Sequence, residues 1–306
     1  MRQYRGEFLV FASAFFFATT GVLGKLIISG GINPLRLTQI RTTGTFIALL
    51  LFVLLTNMRS LKIKRDELPN LMLIGIIGVA GVQSLYFFAV TRMPISITLV
   101  IEFTSPIWIA LFIRFFRKQL VRPLMWWGIG VAISGLIMVT QIWDGWKLDA
   151  LGVIATFIDA LFLSFYYLRS EKTVRERSGL SMLVYAFGSA TLFFAVIQPI
   201  WTFPTEIFSA QISLQELSAD GFIAGWQLIS ILIAFGSILP YLLVTYGLKY
   251  IPASQGSVIA MTEPVIAGGI AWVVLGETLS AIQLLGGMTV LVGIYLTERA
   301  RQSADK

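Results

Sequence analysis

The sequence contains no cysteine and no histidine. Without cysteine, the chain cannot form disulfides, carry out thiol chemistry or hold a cysteine-bound iron–sulfur cluster. Without histidine, it lacks the commonest metal ligand and the side chain that titrates closest to neutral pH. Any proton transfer must therefore involve carboxylates or lysines, and we expect neither a metal nor another cofactor.

Charge is also scarce. Only 13% of the 306 residues are charged, whereas 57% are hydrophobic, and this is too little charge to cover the surface of a soluble protein. Continuous apolar stretches of roughly 18–22 residues recur along the chain, which is the length a helix needs to cross a bilayer. The short alternation typical of an outer-membrane barrel is absent. The sequence therefore predicts an all-α, multi-pass protein of the lipid bilayer.

The apolar stretches predict ten membrane-spanning helices. We number these predicted spans 1 to 10 and place them at about 8–28, 35–56, 69–91, 95–116, 123–141, 150–169, 180–201, 227–248, 254–274 and 280–297.

Basic residues indicate how the spans are oriented. Most of them fall on one side, namely Arg2, Arg5, Arg59, Lys62, Lys64, Arg65, Arg114, Arg117, Lys118, Arg122, Arg169, Lys172, Arg175, Arg177, Lys249, Arg299, Arg301 and Lys306. Because cytoplasmic loops carry the excess of Lys and Arg, both termini are predicted to lie in the cytoplasm, with the chain in the cytoplasmic (inner) membrane. The same placement accounts for the net charge of +7 without a nucleic-acid partner.

The chain contains a copy of part of itself at an offset of 158 residues. Pro94 matches Pro252 and Pro106 matches Pro264, and no gap is needed between 78–135 and 236–293. Further matched pairs are Gly78 and Gly236, Leu85 and Leu243, Ser96 and Ser254, Val100 and Val258, Ile101 and Ile259, Thr104 and Thr262, Gly128 and Gly286, and Gly135 and Gly293.

This duplication predicts two repeats, 1–141 and 150–306, joined by an external linker at 142–149. Five spans per repeat is an odd number, so the second repeat would be inverted in the membrane. Inverted repeats are a structural basis of alternating access in transporters.

Four charged residues lie more than five residues from either end of a predicted span: Arg41, Glu102, Asp159 and Glu263. A charge inside the membrane is costly and is a functional candidate by default. Glu102 shares a helical face with Thr98 and Ser105. It is interpreted as the partner of a substrate amine, a proton site or both, because burial favours the neutral form of a carboxylic acid. A structural ion pair with Arg41 is the alternative.

The other three residues each have two interpretations. Arg41 could hold a substrate carboxylate through a bidentate contact or act as a fixed counter-ion, and Asp159 could form a salt bridge with it. Glu263 precedes Pro264, which is expected to kink span 9, and both a functional and a structural role are open for it.

Uncharged polar and aromatic residues add further candidates. Gln83 and Tyr241 are equivalent under the 158-residue offset, and Tyr86 lies one turn from Gln83. These side chains could line a cavity or form hydrogen bonds between helices. Together with Trp108 and Tyr166, the tyrosines could alternatively surround an aromatic or lipophilic substrate.

Glycines recur at seven-residue spacing in spans 5 and 10, at Gly128 and Gly135 and again at Gly286 and Gly293. Small residues allow helix backbones to approach closely. We assign these spans to helix packing, with a homodimer contact as an alternative, so that the sequence leaves a monomer and a homodimer open.

No P-loop, zinc-protease motif, nucleophile elbow or dinucleotide fingerprint is present. We therefore expect neither an enzyme nor ATP hydrolysis by this chain.

Three segments resemble a known family. They are "LKYIPASQGSVIAMTEPVIAGGIAWVVLGETLSAIQLLGGMTVLVG" at 248–293, "VIEFTSPIWIALF" at 100–112 and "SILPYLL" at 237–243. These segments resemble EamA-type carriers of the drug/metabolite transporter superfamily, in the branch that contains threonine/homoserine exporters. One departure is Arg117-Lys118-Gln119, where the second repeat has Leu275-Gly276-Glu277.

The resemblance implies a cavity among spans 3, 4, 8 and 9, with parts of spans 1, 2, 6 and 7, and assigns Glu102 and Glu263 to motif positions. It also implies a secondary transporter that exports a small-molecule substrate, with amino acids or related compounds favoured. The interpretation of Glu102 as a proton site makes protons a candidate coupling ion, and the sequence does not fix that ion. An exporter or exchanger of aromatic, nucleobase-like or drug-like compounds is the alternative.

Overall fold

The computed structural model describes residues 2–145, 148–214, 221–275 and 280–302. Among these residues, nine helices are long and apolar enough to cross a membrane. The prediction of a multi-pass helical membrane protein is confirmed. Ten spans, the inverted arrangement, the repeat boundaries and the side on which the termini lie stay predictions. The linker residues 146–147 and the Gly276-Glu277 element lie outside the described residues.

The first half of the chain forms seven α-helices. They are α1 (Arg2–Ser29), α2 (Pro34–Thr56), α3 (Leu68–Gly75), α4 (Val82–Val90), α5 (Ile95–Glu102), α6 (Ser105–Phe115) and α7 (Pro123–Thr140).

The second half forms seven more. They are α8 (Ala150–Glu176), α9 (Gly179–Ile197), α10 (Gly225–Ile233), α11 (Leu239–Gly247), α12 (Ala253–Ala260), α13 (Glu263–Leu275) and α14 (Ala281–Gln302). Two short strands, β1 (Gln211–Ser213) and β2 (Phe222–Ala224), pair antiparallel.

Local sequence explains where several helices begin. The side chain of Asn33 accepts a hydrogen bond from the Leu35 amide at the start of α2, and Asp149 accepts one from the Gly152 amide at the start of α8. Such capping satisfies amides that have no partner within the helix. Pro123 starts α7, at a position where the missing N–H of proline costs nothing.

Two predicted spans are interrupted rather than continuous. The segment predicted as one helix at 95–116 is divided into α5 and α6 at residues 103–104, and the segment predicted at 254–274 is divided into α12 and α13 at residues 261–262. Pro264 is the second residue of α13 and does not kink a continuous helix. α12 ends at Ala260, four residues before Pro264, and proline is tolerated because it lies in the first turn of the new helix.

Two other spans contain a π-helical turn. Ile76–Gly81 joins α3 to α4, and Ala234–Ile238 joins α10 to α11. A π-helical turn is a distortion often found at functional sites. The two π-helical turns begin 158 residues apart, at Ile76 and Ala234. The two breaks also lie 158 residues apart, at Phe103 and Met261.

Two further expectations were wrong in detail. Span 6 was predicted to end near 169, but α8 continues to Glu176, so that Arg169 and Lys172 lie on the helix rather than in a loop. The segment 202–226, between predicted spans 7 and 8, falls outside every predicted span of an all-α protein, but it carries the paired strands β1 and β2. Ile212 of this hairpin is buried with Leu26 and Ile27 at the end of α1.

The glycines of α7 and α14 pack these two helices against each other. A Cβ added at Gly135 would lie 2.5 Å from the Val290 nitrogen, and one added at Gly293 would lie 2.5 Å from the Ala132 nitrogen. The two backbones are therefore in contact, as the glycine spacing predicted, and the contact lies within one chain.

Candidate functional site

A buried cavity of about 100 Å³ lies in the middle of the helix bundle. It is bounded by α1, α2, α4, α5, α8, α11, the end of α12 and the start of α13. Its lining residues are Phe17, Thr20, Gly21, Arg41, Val82, Gln83, Tyr86, Phe87, Glu102, Phe103, Leu163, Tyr167, Tyr241, Ala260 and Glu263. Six of the nine residues singled out in the sequence lie in this lining: Arg41, Gln83, Tyr86, Glu102, Tyr241 and Glu263.

Arg41 is 2% exposed and is held by the π-helical turn between α10 and α11. Its Nε donates to Ser237 Oγ at 3.1 Å, and its Nη2 donates to the Gly236 carbonyl at 2.8 Å. The guanidinium carbon lies 5.3 Å from the centre of the Phe87 ring. The side chain is therefore fixed in place, while Nη1 has no acceptor among the described residues.

Glu102 and Glu263 lie next to the two helix breaks. Glu102 is the last residue of α5, and Glu263 is the first residue of α13. Glu102 is 9% exposed and has no hydrogen-bond or ion-pair partner among the described residues. Its carboxylate borders the cavity and is available to a ligand.

Asp159 lies behind this lining on α8. It is fully buried, and neither carboxylate oxygen has a hydrogen-bond partner in the described part of the chain. The predicted salt bridge between Asp159 and Arg41 is not formed, because Arg41 is used by Gly236 and Ser237 instead. The predicted ion pair between Glu102 and Arg41 is not formed either.

Acids outnumber bases at the site. Glu102 and Glu263 line the cavity, Asp159 is buried on α8, and Arg41 is the one basic residue among the lining residues. Carboxylates that share a low-dielectric interior repel each other when they are charged. A proton or a cationic group bound near Glu102 would relieve this repulsion.

Aromatic side chains make up much of the wall. Tyr241 Oη accepts a hydrogen bond from Gln83 Nε2 at 3.2 Å. The Tyr241 ring makes edge-to-face contacts with Phe17, Tyr166 and Phe187, at centroid distances of 5.3, 5.7 and 5.1 Å. Tyr166 packs behind Tyr241, and its hydroxyl lies 3.4 Å from Thr245 Oγ1. Part of the cavity wall is therefore a fixed aromatic surface.

Trp108 lies outside this site. Its Nε1 donates to Thr104 Oγ1 at 3.2 Å, its ring packs edge to face on Phe157, and it lines a different groove between α6 and α8.

Sequence reasoning missed several lining residues, including Phe17, Thr20 and Tyr167. Thr20 offered a signal, since it is a polar residue within an apolar helix. Tyr167 was passed over for Tyr166, although Tyr167 and Leu163 are the residues one turn apart on α8 that reach the cavity.

A sequence profile of the EamA-like transporter family matches residues 4–141 and again residues 150–299. The chain belongs to the EamA-like transporter family. Both matched stretches contribute residues to the cavity, so the candidate site is built from both halves of the chain.

Curated relatives agree with this family. The threonine/homoserine exporter RhtA of Escherichia coli strain K12 is 24% identical over 267 residues, covering 86% of this chain and 79% of that protein. The pseudopaline exporter CntI of Pseudomonas aeruginosa is 21% identical over 258 residues, covering 84% of each. The uncharacterised transporter YdfC of Bacillus subtilis is 22% identical and covers 87% of this chain and 82% of that protein.

A solved crystal structure supports the fold. It superposes with a TM-score of 0.76 and covers 98% of this EamA-like chain and 99% of its own, at 16% sequence identity.

Proposed function

We propose that this EamA-like protein is a secondary transporter of the cytoplasmic membrane that exports small metabolites, with amino acids or related compounds as its substrates. The observation that carries the proposal is the presence of Glu102 and Arg41 in one buried cavity. A free amino acid has an amine that Glu102 would bind and a carboxylate that Arg41 Nη1 would bind. Export is supported by RhtA and CntI, which are both named as exporters.

The size of the cavity favours a compact substrate. A volume of about 100 Å³ lies below the roughly 300–1,000 Å³ of sites for drug-sized ligands. A small amino acid needs little rearrangement, whereas a larger compound requires the helices around the cavity to separate.

Transport by alternating access is supported by the repeat. The breaks beside Glu102 and Glu263 and the two π-helical turns recur at the 158-residue offset, and the family profile matches each half separately. Two inverted halves with ten spans would provide two arrangements of similar energy, each open to one side. In this scheme the short helices that end beside the cavity move against each other.

Protons are the proposed coupling ion. Glu102 and Glu263 line the cavity and Asp159 is buried behind it, against one arginine in the lining, so a proton on one of these acids would lower their repulsion whenever no substrate amine is present. Binding of the amine would then compete with binding of the proton, and this competition would couple the two fluxes.

A second candidate function rests on the aromatic wall. Tyr86, Phe87, Phe103 and Tyr241 line the cavity and would stack on an aromatic or nucleobase-like compound. Such a substrate would still need the cavity to widen.

Counterflow in proteoliposomes tests the proposal. Vesicles loaded with a panel of unlabelled compounds, including threonine, homoserine, the aromatic amino acids and nucleobases, are assayed for uptake of the matching labelled compound. We expect exchange of small amino acids, with a response to an imposed pH gradient. Exchange confined to aromatic compounds would favour the second candidate, and a folded protein that exchanges no amino acid would refute the first.

A further inference from the structure

The outer face of the bundle carries a second groove, between α6 and α8. It has a volume of about 600 Å³ and is separate from the central cavity. Its lining residues are Trp108, Leu111, Phe112, Phe115, Phe116, Arg117, Leu161, Ser164, Phe165, Leu168, Arg169 and Lys172. The groove is therefore aromatic and aliphatic along most of its length and basic at one end.

The apolar part is unusually exposed. Phe115 is 68% exposed and Phe116 is 77% exposed. The rings of Phe112 and Phe116 stack at a centroid distance of 5.1 Å. Ser164, the one uncharged polar residue in the lining, donates its hydroxyl hydrogen to backbone carbonyls of its own helix and of Ser105. The groove thus offers an apolar surface with its polar atoms already satisfied.

The basic end carries Arg117, Arg169 and Lys172. Glu171 is buried beside it and forms ion pairs with Arg117 at 3.5 Å and Arg175 at 2.9 Å. Arg169 and Lys172 also line a neighbouring pocket with Asp66, Glu67 and Glu176, and Glu67 pairs with Arg177 at 3.2 Å. The guanidinium of Arg169 lies over the Phe165 ring at 5.5 Å. Among these residues five are basic (Arg117, Arg169, Lys172, Arg175 and Arg177) and four are acidic (Asp66, Glu67, Glu171 and Glu176), so the end of the groove keeps a net charge of +1 (5 − 4).

The dimensions fit one leaflet of a bilayer. From Leu161 to Lys172 the helix advances eleven residues, or about 16 Å at 1.5 Å per residue. Half of a hydrocarbon core of about 30 Å is about 15 Å. Because successive spans alternate in direction, the basic ends of α6 and α8 lie on the side where α1 begins. The same side is predicted to be the cytoplasmic one, where a leaflet carries anionic lipids.

We propose that this groove binds an anionic phospholipid of the surrounding leaflet. The headgroup phosphate contacts Arg117, Arg169 and Lys172, and an acyl chain lies along the phenylalanines and Trp108. Basic pockets between membrane helices bind such headgroups. The lipid joins α6, which begins just after the break beside Glu102, to α8, which carries Asp159.

Fluorescence quenching by brominated lipid tests the proposal. The purified protein is titrated with phosphatidylglycerol brominated on its acyl chains and, separately, with equally brominated phosphatidylcholine. The part of the quenching that is lost in the Trp108→Phe variant comes from Trp108 and therefore measures lipid bound in the groove. We expect this component to saturate at lower phosphatidylglycerol than phosphatidylcholine. In the double variant Arg169→Gln/Lys172→Gln, the preference for phosphatidylglycerol over phosphatidylcholine should fall by about fivefold for each charge removed. This corresponds to about 1 kcal/mol per basic residue.

The matched control removes two exposed charges from the same side of the membrane, away from the groove. Arg59→Gln/Lys64→Gln should keep the full preference for phosphatidylglycerol. Equal binding of the two lipids, an equal loss in the control, or displacement of the lipid by glycerol phosphate alone would overturn the proposal. Lipid binding is measured without transport, so this result is independent of the proposed function.

Discussion

The close contact between α7 and α14 gives a prediction that the structure makes quantitative. At Gly135 an added Cβ would lie 2.5 Å from the Val290 nitrogen and 2.7 Å from the Gly286 carbonyl oxygen. Ordinary contact begins at 3.4 Å, so Gly135→Ala must separate the two backbones by about 0.9 Å (3.4 − 2.5). Neither contact atom is a flexible side chain that could turn away.

The matched control lies on the same helix. Gly130 has nothing within 4 Å of an added Cβ, so Gly130→Ala introduces the same methyl group without a clash. Both variants gain the same helix propensity, about 0.5–1 kcal/mol. The difference between their free energies of unfolding is therefore the cost of overpacking, about 1–3 kcal/mol.

Unfolding of the purified protein in detergent measures this difference, with circular dichroism to follow helix loss. We expect Gly130→Ala to be at least as stable as the wild type and Gly135→Ala to be the less stable of the pair. Equal stability of the two variants would refute the reasoning, because it would mean that α7 and α14 are not in backbone contact.

Two further predictions concern the site. Asp159→Asn is expected to leave stability unchanged or raised in the same unfolding assay, because the buried carboxylate has no partner; a loss of about 3–5 kcal/mol would instead reveal a buried ion pair. Tyr241→Phe keeps the ring contacts but loses the hydrogen bond from Gln83, so the free energy of unfolding in the same assay should fall by about 0.5–1.5 kcal/mol. Tyr246→Phe, at an exposed position on the same helix, should not change it.

The predictable part of the fold is the part that the bilayer imposes. Long apolar stretches can satisfy their backbone only as helices in lipid, so the positions of most spans followed from composition. The duplication was visible because identical residues recur at one offset without gaps. Helix starts at Asn33-Pro34 and Pro123 carried their own local signals.

The breaks beside Glu102 and Glu263 were not predictable in the same way. Residues 103–104 and 261–262 are Phe-Thr and Met-Thr, and neither pair contains a residue that stops a helix. Apolar length is the same for a continuous and an interrupted span, so hydropathy could not distinguish them.

The partners of Arg41 depend on structure distant in sequence. Sequence reasoning paired this arginine with an acid, since opposite charges attract. The π-helical turn at Ala234–Ile238 instead presents the Gly236 carbonyl and the Ser237 hydroxyl to it. The one-residue change in helical register at this turn determines which groups contact Arg41. The sequence around Arg41 does not indicate this change.

The most direct test of the central claim is counterflow of small amino acids by Glu102→Gln beside Glu206→Gln. The first change removes a carboxylate from the cavity, and the second makes the same change at an exposed residue of the 202–226 segment. Loss of a hydrogen bond to a charged group is worth about 1.5–3 kcal/mol, so apparent affinity should fall about 10- to 100-fold in Glu102→Gln alone. Wild-type exchange by a folded Glu102→Gln protein would contradict the account.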